Sequence, residues 1–313
     1  MAKYLVTGIA GFIGSTIARR VLAEGGEVRG VDNLATGNRK NIAEIADRID
    51  FRQIDILDLD GLHRACEGVD YVFHEAAIPS VPKSVLDPLG SNRANVDGTA
   101  NVLVAARDAK VKRVVYAASS SAYGDTPTLP KRESMPPNPI SPYAVAKLAS
   151  EYYMISFYRC YGLETVCLRY FNIFGPRQDP ASPYSGVLAK FITQMLRGEE
   201  PTILGDGEQS RDFTYVDNAV DANLLACHAP VENVAGRVFN VATGTRVDLK
   251  ETFRTLKKLM DFKGEVKFGP ERTGDVKHSL ADISAAREAF AYEPKVSFEE
   301  GLRRTIEWYK NGR

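Results

Sequence analysis

Short apolar runs alternate with longer amphipathic segments through the first half of the chain. The apolar runs predict strands at residues 4–7, 27–31, 51–55, 71–75, 114–119 and 165–169. Between them, helical periodicity predicts helices at residues 14–24, 58–66, 93–109 and 142–161. This alternation is typical of βαβ units, and it predicts an α/β fold with a doubly wound parallel sheet of the Rossmann type. Ligands then belong at the carboxyl ends of the strands.

The pattern changes after residue 169. Residues 172–185 are rich in Gly, Pro, Asp and Ser, which predicts an irregular segment. Helices are predicted at 186–197 and 297–310, on either side of mixed, turn-rich sequence. We therefore expect a cofactor-binding domain at 1–170. A smaller mixed α/β domain at 171–313 would bind mainly the substrate, with some segments returning to the first domain.

Composition and charge narrow the class of protein. The 313 residues are 44% hydrophobic and 26% charged, and 40 basic residues balance 40 acidic ones. This balance predicts no binding to nucleic acid or to an anionic membrane. No apolar run is long enough to span a bilayer, and a strand pattern begins almost at Met1, so we expect no signal peptide and a cytoplasmic location. The four cysteines and four histidines lack metal-ligand spacing, and no metal site is predicted.

A glycine-rich turn follows the first predicted strand and opens the first predicted helix. Its sequence is Gly8-x-x-Gly11-Phe12-Ile13-Gly14. Glycine allows a tight turn and close approach of backbone N–H groups to a phosphate, which then lies at the positive end of the helix. In this context the turn predicts a dinucleotide-binding site.

Acidic and small residues follow the next strands. Asp32 follows the second strand, where a carboxylate can accept hydrogen bonds from both ribose hydroxyls and repel a 2′-phosphate, which favours NAD over NADP. Further cofactor contacts are predicted along the same edge of the sheet, at Asn33, Asp55, Ile56, Ala76 and Ala77.

The candidate catalytic residues are Ser119, Tyr143 and Lys147. Pro142 suits the first turn of a helix, on which Tyr143 and Lys147 share one face at i and i+4. Tyrosine becomes a base near neutral pH only if its pKa falls from about 10 to about 7, which needs about 4 kcal/mol of phenolate stabilisation. We expect the Lys147 ammonium and the nicotinamide to supply it, and Lys147 to hold the nicotinamide ribose. Ser119, at the end of a predicted strand, can relay the proton of a sugar hydroxyl.

Together these motifs resemble the extended short-chain dehydrogenase/reductase family along nearly the whole chain. The matching residues are the glycine turn, Asp32, Ser119, Tyr123-Gly124, Tyr143-x-x-x-Lys147 and Arg169-Tyr170-Phe171-Asn172. Within the family the sequence is most like the UDP-hexose 4-epimerases, above all those acting on N-acetylated sugars. The resemblance implies NAD that stays bound through turnover, Asn95 as a further cofactor contact, and a homodimer built on the helices at 93–109 and 142–161.

The resemblance also bears on the reaction. Sugar 4,6-dehydratases of the family carry Asp-Glu just before the matching Tyr-Gly, whereas this chain has Ser120-Ser121-Ala122. Serine hydroxyls can hold a sugar but are poor acids and bases, so elimination is disfavoured. Inversion at C4 through a 4-keto sugar is the leading hypothesis. A lyase that dehydrates or decarboxylates, and a non-catalytic NAD-sensing protein, are the alternatives.

The remaining predictions concern the substrate. By the same resemblance, Asn172, Arg211, Arg272 and Asp275 would bind the UDP-sugar, the arginines as forks on the diphosphate. Three residues match the members that accept an N-acetyl group: Gln178, Gly186 and the small Ser279. UDP-N-acetylglucosamine and UDP-N-acetylgalactosamine are the favoured pair. UDP-glucose with UDP-galactose, and UDP-glucuronate, remain open.

Overall fold

The structure is a computed structural model that describes residues 1–180, 186–271 and 276–311. Its strands, in chain order, are β1 (Lys3–Thr7), β2 (Glu27–Val31), β3 (Ile49–Arg52), β4 (Tyr71–His74), β5 (Arg113–Ser119), β6 (Glu164–Tyr170), β7 (Ile173–Phe174), β8 (Thr202–Leu204), β9 (Ser210–Arg211), β10 (Thr214–Tyr215), β11 (Arg237–Val241), β12 (Val247–Asp248) and β13 (Lys267–Gly269). Its α-helices are α1 (Phe12–Ala23), α2 (Leu59–Cys66), α3 (Val81–Leu86), α4 (Pro88–Asn92), α5 (Gly98–Asp108), α6 (Pro142–Tyr161), α7 (Val187–Leu196), α8 (Val216–His228), α9 (Val231–Val234), α10 (Leu249–Met260), α11 (Ser284–Phe290) and α12 (Phe298–Lys310).

A seven-stranded parallel sheet organises the molecule. Its strand order is β11-β6-β5-β4-β1-β2-β3, and each neighbouring pair is parallel. The order reverses between β1 and β4, and crevices at such reversal points are where open α/β sheets bind ligands. The predicted doubly wound Rossmann-type fold is confirmed.

Both faces of the sheet are buried, because successive residues of a strand point to opposite sides. On one face Leu5, Val72 and Val114 pack with residues of α2, α5 and α6. On the other face Val6 and Phe73 pack with residues of α1, α8 and the second half of the chain. Helices therefore cover the sheet on both sides and leave its carboxyl edge for function.

The second half of the chain extends this sheet and adds small ones. Strand β11 pairs with β6, from Arg237 opposite Val166 to Val241 opposite Tyr170. Three two-stranded sheets pair β10 with β7, β12 with β9, and β13 with β8. The domain boundary near residue 170 stays a prediction.

Two local expectations need correction. The third strand ends at Arg52 rather than at residue 55. Asp55 lies beyond the strand, where its side chain accepts a hydrogen bond from Leu57 N at 2.9 Å and forms an Asx turn. The helix predicted at 93–109 begins with a π-helical turn, Arg93–Asp97, before α5.

No helix in the described ranges combines the length and apolar character needed to cross a membrane.

Candidate active site

A large cavity lies at the carboxyl edge of the sheet, where β1 and β4 meet. Its volume is about 1400 Å³, larger than the roughly 300–1,000 Å³ of common small-molecule sites. It extends from the glycine turn to the loop that follows β7. Most of the predicted site residues line it: Gly8, Gly11, Phe12, Ile13, Gly14, Asp32, Asn33, Asp55, Ile56, Ala76, Ala77, Ser119, Tyr143, Lys147, Asn172 and Gln178.

The glycine turn fits a dinucleotide. A Cβ on Gly14 would stand 2.4 Å from Gly8 O, and a Cβ on Gly8 would stand 2.8 Å from Ala76 N. Gly8 also has a φ of +69°, which disfavours other residues. Gly11 caps α1 without any side-chain hydrogen bond, so the first N–H groups of the helix are not capped by the chain. The turn therefore leaves space and helix-end donors for a pyrophosphate, as NAD requires.

Asp32 lies buried at the end of β2, and the backbone holds its carboxylate. Oδ2 accepts from Ala10 N at 2.9 Å and Oδ1 from Leu34 N at 2.8 Å. Burial is the main influence on its pKa, which it raises, and the two backbone hydrogen bonds oppose this rise. Asn33 donates to Asp55 Oδ2 at 2.8 Å, so two of the predicted cofactor residues are joined across β2 and β3.

Asn95 is the predicted cofactor residue that does not line the cavity. It is buried, and its Oδ1 accepts from Ile78 N at 2.8 Å while its Nδ2 faces Ser91 Oγ at 3.3 Å. Ile78 itself does line the cavity. Asn95 therefore fixes the cavity wall at Ile78 and does not itself line the space in which a cofactor would bind.

Helix α6 brings Tyr143 and Lys147 to the cavity. Ser141 caps the helix by accepting from Ala144 N at 3.2 Å, and Pro142 occupies the first turn. Ser84 Oγ accepts from Tyr143 N at 3.0 Å and ties the first turn to α3. The helical spacing then puts both side chains on the face that meets β5.

The phenol of Tyr143 faces Ser119 at the end of β5. Burial raises the pKa of Tyr143, and a hydrogen bond with the Ser119 side chain opposes that rise. Ser119 Oγ accepts from Ser121 Oγ at 2.8 Å. Two serine hydroxyls thus lie in series with the phenol, although Ser120 and Ser121 do not line the cavity.

Lys147 is buried, and strand β5 holds its ammonium group. Its Nζ donates to Ala117 O at 2.7 Å and lies 4.7 Å from the centre of the Tyr116 ring. Burial lowers the pKa of Lys147 to about 8, and the carboxylate of Glu75 opposes this fall. In the protein without cofactor, burial is the larger influence on the pKa of Tyr143, so the expected lowering of that pKa by Lys147 and the nicotinamide stays a prediction.

The predicted substrate residues are brought together in part. Asn172 Nδ2 donates to Asp212 O at 3.0 Å and to Ser279 Oγ at 3.3 Å. A Cβ on Gly186 would stand 3.4 Å from Gln178 Nε2, so these two residues are neighbours. Arg211 donates to Lys277 O at 3.0 Å. Arg272 and Asp275 lie outside the described residues.

Several residues of the cavity wall were not predicted from the sequence. Among them are Lys83, Glu75, Tyr170, Arg177 and Trp308. Glu75 directly follows β4 and Tyr170 lies within the Arg169–Asn172 motif, so both stood at strand ends where a site residue could be sought. Trp308 comes from α12 and carries no local signal. No group of three or more His, Cys, Asp or Glu residues in the described ranges could hold a metal ion.

Comparisons with known proteins agree with this geometry. Residues 4–242 match the model of the NAD dependent epimerase/dehydratase family. A UDP-glucose 4-epimerase of Mycolicibacterium smegmatis is 40% identical over 313 residues, which is 99% of each chain. The crystal structure of a Thermotoga maritima UDP-glucose 4-epimerase with UDP-glucose superposes with a TM-score of 0.94 at 39% identity, over 99% of each chain. A Methanobrevibacter ruminantium UDP-N-acetylglucosamine 4-epimerase in complex with UDP-N-acetylmuramic acid gives a TM-score of 0.94 at 40% identity, over 100% of this chain and 99% of that one. The chain therefore belongs to the NAD-dependent epimerase/dehydratase family.

Proposed function

We propose that this protein is an NAD-dependent UDP-hexose 4-epimerase, an isomerase that inverts C4 of a UDP-sugar through a 4-keto intermediate. The observation that carries the proposal is the set of Ser119, Tyr143 and Lys147 in one cavity with the glycine turn. The residues beside Ser119 are serines, which can hold a sugar but cannot drive an elimination at neutral pH.

The residues divide the chemistry between them. Tyr143, as phenolate, removes the proton from the sugar 4-hydroxyl, with Ser119 bridging the two oxygens. The glycine turn and Asp32 would hold NAD, which would supply the acceptor and later the donor of the C4 hydride. Lys147 holds the nicotinamide ribose and keeps a positive charge beside the site. The 4-keto sugar turns about its bonds to the diphosphate and presents its other face. Once the hydride is back on C4, Tyr143 returns the proton to O4, and the reaction has no net oxidation.

The surroundings of Asn172 support a substrate with an N-acetyl group. Ser279, whose hydroxyl is 3.3 Å from Asn172 Nδ2, is a small residue. Gly186 leaves room beside the amide of Gln178. UDP-N-acetylglucosamine and UDP-N-acetylgalactosamine are therefore the leading pair, and UDP-glucose with UDP-galactose is the second.

An NMR time course with UDP-N-acetylglucosamine and the protein as purified tests this function. Appearance of UDP-N-acetylgalactosamine without added cofactor would support 4-epimerisation, retained NAD and N-acetyl tolerance together. Conversion of UDP-glucose or UDP-glucuronate alone would still support 4-epimerisation, but it would overturn the assignment of the N-acetylated substrates. Loss of carbon dioxide or a 4-keto-6-deoxy product would indicate a lyase instead.

The variant Tyr143→Phe tests the base. Removing the phenol should lower kcat by about 10²–10⁴-fold, the usual contribution of a positioned acid or base, while NAD remains bound. Tyr161→Phe, at the exposed end of the same helix, is the matched control and should turn over normally. Activity of Tyr143→Phe close to that of the control would rule Tyr143 out as the base.

A further inference from the structure

Glu75 is a carboxylate on the cavity wall that the proposed mechanism does not use. Its Oε1 accepts from the hydroxyl of Tyr170, on β6, at 2.9 Å. That hydroxyl in turn accepts from Asn223 Nδ2, on α8, at 2.6 Å. Two elements behind the sheet edge therefore fix the carboxylate at the end of β4. Its Oε2 has no hydrogen-bond partner among the described residues.

The charged and polar groups around Lys147 come from four directions. Glu75 directly follows His74, which pairs with Tyr116 in the register of β4 and β5, so Glu75 lies beside Ala117, whose carbonyl accepts from Lys147 Nζ. Glu151, on the same helix as Lys147, and Cys167, on β6, are the other groups that influence its pKa. Strand β5 contributes the carbonyl of Ala117 and the ring of Tyr116.

Of the two carboxylates that raise the pKa of Lys147, Glu75 and Glu151, the second is shared with another cation. Glu151 is already paired with Arg169, through contacts of 2.8 and 3.0 Å. Burial raises the pKa of the Cys167 thiol well above its usual value, so the thiol is neutral. Next to Glu75, burial lowers the pKa of His74 to about 3, and both ring nitrogens are bonded to threonines. Among the described carboxylates that face Lys147, Glu75 is therefore the one without an arginine of its own.

We propose that Glu75 is a positioning residue that keeps Lys147 in its ammonium form. Tyr170 and Asn223 hold the carboxylate in place, and the carboxylate stabilises the positive charge of Lys147. An opposite charge at close range favours the charged form of a group, and most strongly in a site from which water is largely excluded.

The direction of the effect follows from the two groups. Burial lowers the pKa of Lys147 to about 8, and Glu75 works against this fall. Burial raises the pKa of Glu75 to about 7, and both Tyr170 and Lys147 oppose this rise. Removing the carboxylate must therefore lower the pKa of Lys147 further and reduce the ammonium fraction at neutral to alkaline pH.

A titration of Lys147 tests the proposal without reference to activity. The holoprotein is labelled with [¹⁵N]lysine, and the Nζ resonance of Lys147 is identified by its loss in Lys147→Arg. Glu75→Gln should move the midpoint down by about one pH unit, as expected for loss of one nearby opposite charge. In Glu75→Asp, which keeps the charge, the midpoint should return most of the way to the wild-type value. An unchanged midpoint in Glu75→Gln would overturn the proposal.

A second variant leaves the carboxylate in place. Tyr170→Phe removes the hydrogen bond that lowers the pKa of Glu75, so Glu75 retains its proton to higher pH. The midpoint of Lys147 should then shift in the same direction as in Glu75→Gln, but by less. No shift, or a shift in the opposite direction, would contradict the proposal even if Glu75→Gln fails to fold.

The role of Lys147 in turnover rests on the proposed function, and a pH profile separates the two claims. In Glu75→Gln, kcat should fall earlier on the alkaline side than in the wild-type enzyme, with a smaller loss near pH 6.5. A uniform loss of kcat at all pH values would mean that Glu75 is merely structural. If the wild-type protein converts no UDP-sugar, the proposed function fails, and the ¹⁵N titration still decides the role of Glu75.

Discussion

At the scale of single residues, Lys147 is placed for chemistry at the expense of stability. The residue is 3% exposed, and burial lowers the pKa of its ammonium from 10.5 to about 8. That difference corresponds to about 3 kcal/mol. Below pH 8 the folded protein must keep a charge that the unfolded chain hydrates freely.

Replacing Lys147 by Met should therefore stabilise the protein while it stops turnover. We expect a gain of about 2 kcal/mol at pH 7, because the lost hydrogen bond to Ala117 O offsets part of the benefit. The pKa is lower in the folded than in the unfolded state, so wild-type stability rises between pH 8 and pH 10.5. The gain in unfolding free energy of Lys147→Met should be largest below pH 8 and should shrink between pH 8 and pH 10.5. Urea unfolding after removal of the cofactor measures it.

The control is Lys310→Met, which removes an exposed lysine from α12. It should change stability by less than about 0.5 kcal/mol. A destabilised Lys147→Met protein, or a gain that does not depend on pH, would contradict the account of the buried charge.

Residues with a local sequence signal were the ones that could be found before the structure. Tyr143 and Lys147 share a helix face, and the glycine turn is fixed by neighbours in the chain. Trp308 reaches the cavity only because distant segments of the chain meet there. Asn95 lies near the site as expected, but its amide oxygen already accepts a hydrogen bond from Ile78 N. Spacing along the chain predicts which residues are near the site, but not which polar groups remain available to a ligand.

At the scale of elements, α6 determines the geometry of the catalytic pair. Its bounds, Pro142–Tyr161, are the ones predicted, because a Ser-Pro start and Gly162 at the end are strong signals. The third strand was placed less well. Residues 51–55 combine apolar Phe51 and Ile54 with polar residues, a weak strand signal, and the observed strand spans Ile49–Arg52 instead.

The cap of α6 should matter more for catalysis than for stability. Ser141→Ala removes the acceptor for Ala144 N and should cost about 1 kcal/mol of unfolding free energy. Tyr143 lies in the same first turn, so kcat should also fall by about 10-fold. Chemical denaturation and steady-state kinetics measure the two effects.

A second serine cap provides the matched control. Ser297 caps α12 by accepting from Glu300 N at 3.3 Å, so Ser297→Ala should lose similar stability and keep its kcat. Equal losses of kcat in both variants would mean that the cap of α6 acts only through general stability.

At the scale of the whole molecule, apolar side chains remain exposed where α3, α4 and α6 pack together. Leu86 is 83% exposed and Leu89 78%, and Val85 and Val145 lie exposed nearby. Clustered apolar residues of this kind are typical of an interface. We propose that this surface joins two copies of the chain in the homodimer that the family resemblance implies.

Light scattering during size-exclusion chromatography tests the dimer. The double variant Leu86→Asp/Leu89→Asp should elute as a monomer, because two carboxylates cannot be buried against the same surface of a second copy. Phe268→Asp, at another exposed apolar position, should elute like the wild-type protein. A wild-type monomer, or a double variant that stays dimeric, would contradict the proposed interface.

The pairing of β11 with β6 has a consequence for folding during synthesis. Strand β11 completes the sheet by pairing with β6, yet about seventy residues of chain separate the two strands. Until Val241 has left the ribosome, β6 is an open edge of the nascent sheet, with its backbone N–H and C=O groups unpaired and Leu168 beside them. Such edges recruit strands from other chains, and pairings between distant segments form slowly. The nascent chain therefore passes through a stage in which this unpaired edge favours aggregation.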